Sequence, residues 1–205
     1  MNNKRKFIGV KDLILGVLLS CVVLVLFFVV SPILQPLGVH VSLVLTVVIP
    51  AIIGGSVFLL LINKSPRTGT FFVFCLPFAL VFMITGTIAT SIMYLLCGIS
   101  GELIMLGRAW QTKWRGVIPY CLFWLVSSFG SLVSMLIMPE SSVKAFMGMG
   151  MDQAAAQAMF DNSFATMSNP VFITVQAVSA VVAAILGYFI GTKILLKHFK
   201  GAGVA

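Results

Sequence analysis

Residues 69–106 read GTFFVFCLPFALVFMITGTIATSIMYLLCGISGELIML, and this stretch decides the fold. It is 38 residues long, and Glu102 is its only charged residue. As one helix it would run to about 57 Å at 1.5 Å per residue. That is far more than a hydrocarbon core of roughly 30 Å. Lys64 and Arg67 precede it, and Arg108, Lys113 and Arg115 follow it. Lys and Arg mark the ends of spans that stay in the cytoplasm. Both ends of the stretch therefore lie on one side, and it crosses an even number of times. The reading is a hairpin of helices 70–84 and 87–106, turning at Thr85-Gly86-Thr87.

Outward from the hairpin, four more apolar segments cover residues 13–30, 41–62, 117–138 and 171–192. With 60% hydrophobic and 9% charged residues, the chain departs from a soluble domain, about 25% of which is charged. The expected fold class is all-α: a polytopic membrane protein with a single integral domain, 1–205, and six transmembrane helices. In this arrangement all of the 13 Lys and Arg residues except Lys144 fall on one side, which puts both termini in the cytoplasm of a cell-membrane protein. Trp110, Trp114 and Tyr120 form an inner interfacial belt. The net charge of +8 sits in short runs beside apolar segments, which argues against a nucleic-acid partner and for the lipid bilayer. Cys21, Cys75, Cys97 and Cys121 all lie in apolar runs and read as small buried residues, without disulfide or zinc spacing. Lys4-Arg5-Lys6 before an apolar run resembles a signal peptide, but the 18-residue run is too long for one and lacks a small-residue cleavage site, so it is read as a retained first helix.

The long connection, 139–170, lies outside. Within it Met147, Met151, Ala155, Ala158 and Met159 share one helical face, and Gln153, Gln157 and Asp161 the other. This predicts a weakly amphipathic surface helix, either an interfacial tether or a lid over an outward-facing site.

Nothing in the chain supplies a familiar catalytic constellation. There is no phosphate-binding loop, no H-E-x-x-H, and no pair of carboxylates sharing a helix inside the bilayer. The expectation is no enzyme, no cofactor and no metal. Glu102 lies about 9 Å inside the inner end of the fourth helix. Either it snorkels to pair with Arg108, Lys113 or Arg115, or it docks a cytoplasmic partner. Ala177, Ala180, Ala184, Gly187 and Gly191 form a small-residue stripe on the last helix, suited to close packing; Gly16 and Ser20 form a second small pair on the first. The outer halves of the later helices are polar. Thr87, Thr90, Ser91 and Tyr94 lie on the fourth helix; Ser127, Ser131 and Ser134 share a face of the fifth; Thr174 and Gln176 open the sixth. Such hydroxyls often only bond the preceding turn, but at one depth they would also suit a small-molecule pocket, with Trp124 as a stacking face and Gln35 as an amide. The candidate substrate-binding residues are therefore Gln35, Thr90, Tyr94, Trp124, Ser127, Ser131 and Gln176.

The ending Lys197-His198-Phe199-Lys200-Gly201-Ala202-Gly203-Val204 resembles the K-H-F-x-x-A-G-[IV] ending of the Trep_Strep family, the MptD-type substrate-specific (S) components proposed for energy-coupling factor (ECF) transporters. Lys11-Asp12-Leu13, Gly101-Glu102-Leu103 and Pro170 agree with it. The resemblance implies a subunit that binds a vitamin or similar small nutrient near the outer leaflet. Its partners would be a transmembrane coupling subunit and two cytoplasmic ATPase subunits. It also implies docking through a small-residue pattern on the first helix, here Gly16 and Ser20, with Glu102 as a further docking candidate. A self-sufficient dimeric secondary transporter and a ligand-free membrane scaffold are the competing readings.

Overall fold

The computed structural model describes residues 8–105, 113–148 and 150–199, and among these every regular element is a helix. In chain order they are α1 (Val10–Leu34), α2 (Val39–Lys64), α3 (Thr70–Ile84), α4 (Ile88–Met105), α5 (Lys113–Ile137), α6 (Pro139–Gly148), α7 (Gln153–Met167) and α8 (Pro170–Phe199), with a 3-10 turn, Gln35–Leu37, joining α1 to α2. The chain is an all-α polytopic membrane protein. Helices α1, α2, α4, α5 and α8 are long and apolar enough to cross a bilayer, while α3 is apolar but only 15 residues long. A helix satisfies its own backbone, which is what hydrocarbon demands. The apolar residues run all round these helices because one side faces neighbours and the other lipid.

The 69–106 stretch folds as the expected hairpin. Helix α3 ends at Ile84, Gly86 turns the chain at φ +84°, and α4 begins at Ile88. Helices α1, α3 and α5 run one way and α2, α4 and α8 the other. One end of the bundle carries the α3–α4 turn and is covered by α6 and α7; it is called the capped end here. The other carries the start of α1 and the α2–α3 connection. There Arg67 bonds Asp12 at 2.7 Å, and the Ile8 amide donates to the Thr68 carbonyl at 3.2 Å.

Close packing replaces the hydrophobic effect as the cement of such a bundle. The α2–α8 seam shows it best. Gly187 and Gly191 of α8 lie directly on the backbone of α2 at Ala51, Ile52, Gly55 and Ser56, with Ala180 and Ala184 buried along the same stripe. A Cβ on Gly191 would stand 2.8 Å from the Ser56 backbone. Gly16 and Ser20 also turn inward. A Cβ on Gly16 would meet Val73 at 2.7 Å, and the Ser20 hydroxyl donates to the Phe74 carbonyl at 2.5 Å. The face of α1 that remains exposed carries Ile14, Leu18, Val22 and Val25 instead.

Three further expectations are corrected. The 139–170 connection is two helices, not one, broken at Gly150 with φ +92°. The packed face of α7 carries the buried Ala156 together with Phe160, Phe164 and Met167, and these last three join Leu132, Met135 and Phe172 in a small core at the capped end, while Ala155, Ala158 and Met159 are exposed. Two phenylalanines outweigh alanines in the contact they can make, so they select the face. Tyr120 is fully buried rather than interfacial and donates to the Ala51 carbonyl at 2.7 Å. Trp110 and the side chain of Trp114 lie outside the described residues.

Candidate functional site

The expected polar residues fall into two groups joined by one ring. On α4 the Tyr94 hydroxyl donates to Ser127 Oγ of α5 at 2.8 Å, and Ser127 donates in turn to the Phe123 carbonyl one turn earlier at 3.0 Å. On the other flank of α5, Ser128 Oγ donates to the Trp124 carbonyl at 2.8 Å, and Gln176 Nε2 of α8 donates to the Ser128 carbonyl at 3.2 Å. The Phe123 ring stands between the groups, 5.4 Å from Tyr94 and 5.2 Å from Trp124. Thr90 bonds the Gly130 carbonyl at 2.8 Å, which clamps α4 to α5 toward the capped end.

Every one of these residues is uncharged. The walls are aromatic: Phe82 stacks on Tyr94 at 5.5 Å and 12°, and Phe78 packs edge-on against Phe123 at 4.9 Å. Within this setting Trp124 stands apart. Its side chain is 0% exposed, and its Nε1 is the one buried side-chain N or O atom among the described residues without a hydrogen-bond partner. The Tyr120 hydroxyl gives its own proton to the Ala51 carbonyl, and its oxygen, which can still accept, lies beside the indole N–H. A buried unsatisfied donor costs about 1–3 kcal/mol, and such groups are few in native folds.

The structure does not bring every candidate here. Ser131 is exposed, so the face expected to unite Ser127, Ser131 and Ser134 is split: Ser134 is buried against Ser142 of α6, and Ser131 points away. Gln35 is exposed in the turn after α1. Gly16 and Ser20 are consumed in the α1–α3 contact. Glu102 has partners that the sequence did not suggest. Its Oε1 accepts from the Phe71 and Phe72 amides at 2.5 and 3.2 Å, so it caps the N-terminus of α3 from a neighbouring helix. Of its expected partners, Arg108 and the side chain of Lys113 lie outside the described residues, and Arg115 is exposed. The physical reason for the cap is plain: Gly69 brings no capping side chain, and the free amides at the start of a helix attract a carboxylate.

Sequence reasoning missed Ser128 and Tyr120. The signal was present, since Tyr120, Trp124 and Ser128 are spaced i, i+4, i+8 and so share one helical face. No cluster of three His, Cys, Asp or Glu side chains able to hold a metal is found among the described residues.

The resemblance carried by residues 197–204 rests partly on positions outside the described ones, since description ends at Phe199. No curated protein and no solved structure matches the chain. A family model does, over residues 10–200, which includes the eight α-helices of the described residues; its description is a hypothetical bacterial integral membrane protein. An apolar helical bundle stitched by small residues, with an uncharged polar cluster between α4, α5 and α8, is thus matched nearly end to end, and the chain belongs to the Trep_Strep family of bacterial integral membrane proteins.

Proposed function

We propose that this chain is the substrate-binding membrane subunit, or S component, of an energy-coupling factor importer, and that it is not itself an enzyme. It would sit in the cell membrane with both termini cytoplasmic and rely on a transmembrane coupling subunit and two cytoplasmic ATPase subunits. The observation that carries the reading is the Trp124 indole N–H, buried beside the Tyr120 oxygen without a well-formed hydrogen bond, amid the Tyr94–Ser127 and Gln176–Ser128 hydrogen bonds. A donor held this way offers a bond to an acceptor that arrives from elsewhere, and the surrounding rings offer stacking faces. The absence of formal charge among these residues favours a neutral small nutrient with a planar, acceptor-bearing part. Docking is not assigned to Gly16, Ser20 or Glu102, whose side chains or surfaces are used within the bundle.

The test is mass spectrometry of small molecules retained by the purified wild-type chain and by Trp124→Phe. Phenylalanine keeps the ring and removes only the N–H and the second ring's bulk. A molecule retained by the wild type and lost from the variant supports the site. Concentrative uptake by the isolated chain in liposomes would overturn the S-component reading in favour of a self-sufficient transporter. Failure to co-purify with any coupling subunit or ATPase from its own membranes would overturn it in favour of a scaffold.

A further inference from the structure

A polar recess lies away from the bundle core, between α6 and α7, and has no residue in common with the site above. The chain folds back at Gly150, and the two helices enclose a cavity of about 310 Å³. Its polar lining is Glu140 and Lys144 from α6 with Gln153 and Gln157 from α7; Met147 and Phe160 supply apolar surface. Glu140 and Lys144 are spaced i, i+4 with the acid first, the order that favours a helical ion pair, with Cβ atoms about 5–6 Å apart. They do not pair: among the described residues the one ion pair is Arg67 with Asp12, at the opposite end of the molecule. Two opposite charges thus line one recess without neutralising each other.

We propose that this recess binds a small zwitterion of the amino-acid type, its ammonium group at Glu140 and its carboxylate at Lys144. The apolar side chain would lie on Met147 and Phe160, bounded by the amide of Gln153 and by that of Gln157, which donates to Asp161 at 3.0 Å. Charge selects this class. A simple anion attracted by Lys144 is repelled by Glu140, and a simple cation meets the reverse, whereas a molecule carrying both signs satisfies both. Size narrows it further, because about 310 Å³ is at the small end of ligand pockets, which suits a single amino acid rather than a peptide. Among the described residues Lys144 is the one Lys or Arg at the capped end, so no other described Lys or Arg there competes for the carboxylate. The inference stands apart from the S-component reading, since it concerns a surface recess and needs no partner subunit.

The experiment is titration calorimetry on the full chain in nanodiscs with three probes: L-leucine, N-acetyl-L-leucine, which has lost its cation, and L-leucinamide, which has lost its anion. Leucine is expected to bind, and each derivative to bind about tenfold more weakly, the effect of one charge-assisted hydrogen bond. Glu140→Gln should abolish the discrimination against N-acetyl-leucine, and Lys144→Gln the discrimination against leucinamide. Both side chains line an open recess and neither is part of a core, so the variants are expected to fold. Trp124→Phe should leave leucine binding unchanged. No heat with leucine at millimolar concentration overturns the proposal. So does unaltered leucine affinity in both α6 variants, or a loss in Trp124→Phe, which would move the amino acid to the bundle core.

Discussion

Two residues show how differently a side chain reads alone and in place. Glu102 is an acid beside basic residues in the sequence, and pairing was the natural expectation. In the fold its carboxylate meets two free amides at the start of α3 instead. Losing an N-cap costs about 0.5–2 kcal/mol, and a charge-assisted bond about 1.5–3. Glu102→Ala is therefore expected to lower the melting temperature of the detergent-solubilised chain clearly, and Glu102→Gln by less, because an amide oxygen still accepts. Equal melting temperatures for all three would remove the cap from the account. Trp124 supplies the second case. If its N–H waits for a ligand, Trp124→Phe removes an unsatisfied donor, so the empty protein should lose little or no stability beyond the missing ring volume, while ligand retention falls. Tyr94→Phe should weaken retention modestly, since it removes one hydrogen bond worth about 0.5–1.5 kcal/mol, or roughly 2- to 13-fold in affinity. Ser131→Ala should change neither property, because Ser131 is exposed and away from the cluster.

At the scale of elements, the small-residue stripe of α8 is the clearest case where pattern predicts packing. Ala180, Ala184, Gly187 and Gly191 recur every three or four residues, and the structure lays this stripe along α2 with backbones in contact. Adding a methyl group where backbone already stands costs at least the 1–3 kcal/mol of ordinary overpacking, since a helix backbone cannot rotate aside as a side chain can. Gly187→Ala is thus expected to reduce thermal stability and yield of monodisperse protein, whereas Gly148→Ala, with nothing within 4 Å, should not. Size-exclusion profiles and melting curves of the two variants decide it. Helix α7 teaches the reverse lesson. Its polar face was legible, but its buried face was assigned to Ala155, Ala158 and Met159, one residue out of phase with the Phe160 and Phe164 that pack. A weak period cannot choose between neighbouring faces; the cavity to be filled does.

Across the whole molecule, charge placement is the strongest constraint. The described cations Lys11, Lys64, Arg67, Arg115, Lys193 and Lys197 lie toward the end opposite α6 and α7, while Lys144 lies on α6 itself. By the preference of Lys and Arg for the cytoplasmic side, the capped end is expected to face outward. Single cysteines at Thr85 or Asp152 should then react with an impermeant maleimide added to intact cells, and one at Pro66 should not. All three positions are exposed. The background should carry serine at Cys21 and Cys121, the two native cysteines that are not fully buried. Labelling at position 66 from outside would invert the orientation and place the α6–α7 recess on the cytoplasmic side.

The sequence by itself determined the helical class, the 69–106 hairpin and its Gly86 turn, and the ends of most helices to within a few residues. These follow from segment length, hydropathy and the position of cations, which are properties of the chain read locally. It also singled out Tyr94, Ser127, Trp124 and Gln176, which the fold groups around Phe123, because polar residues are conspicuous in apolar helices. What only the tertiary structure decided is how the helices are rotated about their axes. Rotation turned Gly16 and Ser20 inward and Ser131 outward, buried Tyr120 against Ala51, and aimed Glu102 at a neighbouring helix start. In these spans the apolar residues run almost uniformly round the helix, so hydropathy gives no preferred face. The rotation is fixed instead by which small residues let backbones meet and which donors find an acceptor across the bundle, and both depend on partners distant in sequence.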